Sequence, residues 1–110
     1  MIDWSRVTEL RDEIGAENFA EIVTLFLEEV ETEIDALRAG CAEDALEARL
    51  HFLKGSALNL GFTDFSRLCQ MGETAAASGR AGDVDLAATI ACFEASREDF
   101  MRGLEALAPP

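Results

Sequence analysis

Residues 49–61 read Arg49-Leu50-His51-Phe52-Leu53-Lys54-Gly55-Ser56-Ala57-Leu58-Asn59-Leu60-Gly61. At about 100° per residue, Leu46, Leu50, Leu53, Ala57 and Leu60 fall on one stripe, which marks a helix with one face turned to a core. The helix is expected from about Glu43 to Leu60, and Gly61 is a natural left-handed stop. His51 falls on the far side, beside Lys54, Gly55 and Leu58.

The same periodicity extends in both directions. Phe19, Ile22, Val23, Phe26, Val30, Ile34 and Leu37 keep helical spacing through a segment from about Glu17 to Ala39. Glu28, Glu29, Glu31, Glu33 and Asp35 lie mostly off that stripe and read as a solvated face. A shorter helix from Asp3 to Ile14 precedes it, with Asp3 as N-cap and Gly15 as stop. Downstream, a helix from Thr63, which can cap it, to about Ser78 carries Phe65, Leu68, Cys69 and Met71. The clearest loop is Ser78-Gly79-Arg80-Ala81-Gly82-Asp83. A last helix runs from Asp83 or Val84 to Leu107 on the stripe Leu86, Ile90, Phe93, Phe100, Leu104 and Leu107. Arg97 breaks its rhythm, and Pro109-Pro110 ends it.

No segment alternates with a period of two, and Ala, Leu and Glu are abundant, so sheet is disfavoured. The expected fold is all-α: an antiparallel up-down-up-down four-helix bundle with a short extra N-terminal helix across one end. A chain of 110 residues, 49% hydrophobic, supports one core, so residues 1–110 are expected to form a single domain. The apolar stripes fill that core and leave no cofactor box.

Twenty-two acidic residues against nine basic give a net charge of −13. A surface this negative repels phosphate backbones and anionic lipid, which argues against nucleic acid or membrane as a partner. No apolar run is long enough to span a bilayer, and the first residues lack a signal-peptide core. Cys41, Cys69 and Cys92 are widely spaced, with no Cys-x-x-Cys pair and a single histidine, so no zinc set is expected. Each lies in an apolar helical pattern and reads as a buried free thiol in a reducing, cytoplasmic compartment.

His51 carries the chemistry. A lone histidine on a polar helix face is ordinary, but Gly55 costs about 1 kcal/mol in a helix interior relative to alanine. Ser56 and Asn59 are also poor helix formers in the same two turns. Such local compromises around one reactive side chain point to a site where something docks. Neutral imidazole is a good nucleophile toward phosphorus near pH 7, and Lys54 can neutralise phosphoryl oxygens. There is no Walker loop, no kinase glycine loop and no carboxylate set for Mg²⁺ around His51. The chain can carry a phosphoryl group but has no motif for loading it from ATP. The surplus of carboxylates favours a protonated ring, and Lys54, Arg49 and Arg67 oppose that. Gln70 and Glu73 on the following helix are candidates to orient the imidazole.

The segment from His51 to Gly61 resembles the histidine-containing phosphotransfer (HPt) domains of bacterial and plant multistep phosphorelays, whose pattern is His-x-Leu-Lys-Gly-Ser, a small residue, then Leu-Gly. The likeness continues through Leu68-Cys69-Gln70 and Glu73, through Asp3-Trp4 and through residues 15–26. It implies a four-helix bundle in which His51 is phosphorylated, Lys54 assists at the phosphoryl group and Gly55 admits the partner. Ser56 matches the family's first serine, Ala57 replaces a common second one, and Phe62 stands where a small residue is more usual. The implied partners are response-regulator receiver domains and a histidine kinase or hybrid kinase, with no bound cofactor in this chain and Mg²⁺ supplied by the receiver. A free-standing monomer is expected. The alternatives are a helical docking module that binds receivers without chemistry and a small acid–base hydrolase, which would need a pocket.

Overall fold

The computed structural model describes residues 1–40 and 42–107. Cys41 and the Pro109-Pro110 end therefore lie outside the described residues, and Leu107 is described as helix backbone only. The elements are α1 (Trp4–Ile14), α2 (Ala16–Ala39), α3 (Glu43–Leu60), α4 (Thr63–Ala77) and α5 (Leu86–Leu107), with a 3₁₀ turn at Ala81–Asp83 before α5. They form a helical bundle 49 × 21 × 20 Å in extent. Among the described residues the only bridge-type pairing is Ile2 with Phe62.

The helix boundaries follow from caps. Asp3 accepts from the Arg6 N–H at 3.2 Å and starts α1, while Gly15 donates back to Arg11 and ends it. Gly61, at φ 77°, closes α3 in the left-handed conformation that favours glycine. Two expected starts are displaced. Thr63 does not cap α4: that position is Phe62, and the Thr63 hydroxyl donates to the Met1 carbonyl at 2.8 Å. The start of α5 belongs to Asp85, whose carboxylate accepts from Ala88 N–H at 2.9 Å. The 3₁₀ turn takes up the residues before it.

The apolar stripes meet in one core. It contains Leu46, Leu50, Leu53, Ala57 and Leu60 of α3, and Val23, Leu27, Val30, Ile34 and Leu37 of α2. Phe62, Phe65, Cys69, Phe93 and Phe100 complete the far side. Phe62 is enclosed and packs against Phe100 and Phe93 at centroid distances of 5.2 and 6.3 Å. The large side chain thus has a core role where a small one is more usual. Small polar residues also fit inside α5, where Thr89 and Ser96 are buried. The acidic run of α2 is only partly a solvated face. Glu33 pairs with Arg49 of α3 at 2.6 Å, Glu31 with Arg97 of α5 at 3.1 Å, and Asp35 with Arg38, which also reaches Glu94. All but Asp35–Arg38 bridge two helices, and the Glu31 pair accounts for the out-of-step Arg97.

Two contacts position the working helices. A side chain at Gly72 would meet Leu50 at 2.8 Å and Val84 at 3.2 Å, so this glycine lets α4 close against α3. At the turn between them, Asp3 N–H donates to the Gly61 carbonyl at 2.7 Å and Thr63 N–H to the Met1 carbonyl at 3.1 Å.

Candidate functional site

His51 is on the solvent face of α3, as its position opposite Leu50 and Leu53 requires, with 70% of its side chain exposed. Because Gly72 draws α4 onto α3, the adjacent Glu73 comes up beside the imidazole. His51 Nδ1 lies 2.8 Å from Glu73 Oε2. The other oxygen, Oε1, accepts from Lys54 Nζ at 2.7 Å. Lys54 also donates to Gln70 Oε1 at 2.9 Å, and the Gln70 amide donates to Thr74 Oγ1 at 3.0 Å. A continuous chain of contacts therefore runs His51–Glu73–Lys54–Gln70–Thr74 between two helices.

The electrostatics decide the tautomer. The Lys54 and His51 hydrogen bonds hold the Glu73 carboxyl below its ordinary 4.5, against a smaller opposing effect of burial. At neutral pH the carboxylate is ionised and can only accept, so the proton of the 2.8 Å contact sits on Nδ1. In a neutral ring that leaves the lone pair on Nε2. Glu73 is itself only 13% exposed, so the anchor is shielded while the ring is open. Beneath it the Cys69 thiol is enclosed, and burial, followed by Cys92 and Glu73, pushes it up to about 12, so it is a neutral group.

The other sequence-derived candidates separate. Gly55 lies about 40° around the helix from His51, and a Cβ built on it meets nothing within 4 Å. No packing among the described residues explains it. Ser56 is a correction: it lies about 140° around from His51, it is 7% exposed, and it belongs to the core side of α3 rather than to the imidazole's surroundings. Arg49 and Arg67 are also elsewhere, on Glu33 and Asp64. Lys54, the single lysine of the chain, is the cation in contact with the site.

Three residues of the site were not singled out in the sequence. Asp44 and Glu47 share a shallow concavity with Ala48, His51 and Glu73. Their spacing of seven and four residues before His51 is the helical signal that places them there. Thr74, which holds Gln70, has the same relation to Gln70. A wider concavity lies away from His51, between α4 and the start of α5, with Leu68, Met71, Val84 and Ala88 in its walls. A surface nucleophile without an enclosing pocket suits transfer between two proteins and not capture of a small substrate.

The family model of the Hpt domain matches residues 21–107, which takes in α3, α4 and the whole His51–Glu73–Lys54 arrangement. Neither the curated proteins nor the solved structures contain a match to the chain. With an exposed histidine on a helical bundle and a family match over most of its length, the chain belongs to the Hpt domain family, the histidine phosphotransfer domains of two-component phosphorelays.

Proposed function

We propose that His51 accepts a phosphoryl group on Nε2 and passes it reversibly to or from an aspartate of a response-regulator receiver domain. The observation that carries this reading is the anchoring of an exposed ring at Nδ1 by an ionised Glu73. That contact leaves the nucleophilic nitrogen as the solvent-facing one.

The Nε2 lone pair attacks phosphorus of the aspartyl phosphate, the P–O bond breaks, and its electron pair returns to the aspartate oxygen. Lys54 is one turn from the ring and sits within the same network. Its ammonium, held in place by Gln70 and Glu73, can offset charge on the transferred oxygens. The open surface at Gly55 lets a receiver backbone come close. The divalent cation for the reaction belongs to the receiver, and the group is loaded by a histidine kinase or hybrid kinase.

Exposure of the protein to phosphoramidate or to a phosphorylated receiver tests the reading. The expected product is a single phosphohistidine isomer, on Nε2, detected by its ³¹P resonance and absent in His51→Gln. Binding to a receiver that survives His51→Ala, with no label in the unaltered protein, would establish the docking module instead.

A further inference from the structure

Glu73 does more in this geometry than set a tautomer. It is an ionised acceptor shared between the ring and an ammonium. Its Oε2 faces His51 Nδ1 at 2.8 Å while Oε1 is taken by Lys54 at 2.7 Å. The carboxylate therefore cannot rotate away from the ring without giving up its cation. Lys54 in turn is braced by Gln70, and Gln70 by Thr74. Glutamine at position 73 would fill the same space and could accept a hydrogen bond, but it would carry no charge.

When Nε2 forms its bond to phosphorus, the ring becomes a phosphoimidazolium with its proton still on Nδ1, directly against that charge. Resting on the reading of His51 as the phosphoryl carrier, we propose that Glu73 retains the Nδ1 proton through the whole transfer, so that phosphorylated His51 stays a cation. The chemical gain lies in the leaving group. A neutral phosphoimidazole must expel an imidazolide anion, whereas the protonated form expels neutral imidazole. In the forward step the Nε2–P bond forms and the aspartyl O–P bond breaks. In the reverse step a receiver carboxylate oxygen bonds to phosphorus and the N–P pair returns to Nε2. The Nδ1 proton is the same in both directions, so none is exchanged with water.

The charged groups that face the ring are few. Glu73 comes from α4, and Lys54, Asp44 and Glu47 come from α3. Asp44 and Glu47 form no ion pair among the described residues and act in the same direction as Glu73. They reach the ring through solvent and are screened by salt. Glu73 is the member with a charge-assisted hydrogen bond of 2.8 Å to the ring.

The experiment loads the full chain with phosphoramidate and follows loss of the phosphoryl group to water by ³¹P resonance between about pH 5 and pH 10. The proteins are wild type, Glu73→Gln and Lys54→Met, each with its helicity checked by circular dichroism. Protonation labilises the P–N bond, so the fast limb of the profile marks the range in which the ring holds its proton. In wild type that limb extends further toward alkaline pH than in Glu73→Gln. A displacement of about one pH unit makes wild type lose the group about tenfold faster on the alkaline side, while the two coincide in acid. Lys54→Met leaves the carboxylate charge on α4 but frees it to turn, so its limb is displaced toward acid less than that of Glu73→Gln. Superimposable wild-type and Glu73→Gln profiles, or an equal displacement in Lys54→Met, would overturn the role of Glu73 and leave the carrier intact. Failure of wild type to form any phosphohistidine overturns both.

Discussion

Gly55 gives the sharpest separation of stability from function. A Cβ there meets nothing within 4 Å, so alanine or glutamine adds no internal clash. A glycine in a helix interior costs about 1 kcal/mol relative to alanine, and that cost should be recovered. For 110 residues the unfolding entropy near the midpoint is roughly 230 cal/mol/K, so 1 kcal/mol raises Tm by about 4 °C. Transfer should move the opposite way. Position 55 is one turn from His51, where Cβ atoms are about 5–6 Å apart, so a new side chain stands where a receiver must approach. Gly55→Ala and Gly55→Gln should both melt higher, while receiver-mediated transfer falls, about tenfold or more for glutamine. Labelling by phosphoramidate, which is small enough to pass, should change little. Calorimetry and a timed transfer assay measure the two quantities on the same samples. Wild-type transfer rates from a receiver in Gly55→Gln would refute the assignment of this glycine to partner access.

Three other outcomes follow from packing and charge. Gly103→Ala would drive a Cβ into the Trp4 indole, at Cζ2 and Cη2. It should therefore destabilise by about 1–3 kcal/mol despite its better helix propensity, and a double-mutant cycle with Trp4→Phe should show coupling. Cys69, enclosed and pushed up to about 12, should resist a thiol reagent at pH 8 until the protein unfolds, as mass spectrometry of the labelled peptides would show. Glu73 titrates below 4.5 in the folded protein because of Lys54 and then His51. Its stabilising contribution is thus present above the unfolded value and lost as pH falls through the folded one. The stability gap between wild type and Glu73→Gln in urea should narrow between pH 7 and pH 3.

Periodicity carried most of the fold. The span of α3, its Gly61 stop and the Asp3 cap all rest on local spacing, and local spacing is what one chain displays. Partners across a seam are a different matter. Which carboxylate meets Arg49 or Arg97 depends on how helices are rotated and slid against each other, and that is settled by contacts such as Leu50 against Gly72. The same limit explains Ser56. As a poor helix former it drew attention beside His51, yet its angle around α3 sends it inward. Glu73 and Gln70 could be nominated as neighbours from sequence. Their division of labour, one toward the ring and both toward Lys54, required the register of α3 against α4. Thr63 shows a third kind of miss, because its hydroxyl serves a residue 62 positions away rather than its own helix.

The short pairing of Met1–Asp3 with the Gly61–Thr63 turn has a practical consequence for dissecting the chain. The family match begins at residue 21, beyond the whole of α1. Cutting to that span would strip the Gly61 carbonyl and the Thr63 amide of their partners. It would also expose the Phe100 ring on which Trp4 stacks at a centroid distance of 5.8 Å. The packed unit is thus wider than the unit by which kinship is recognised, and expression boundaries drawn from kinship alone would cut through these contacts.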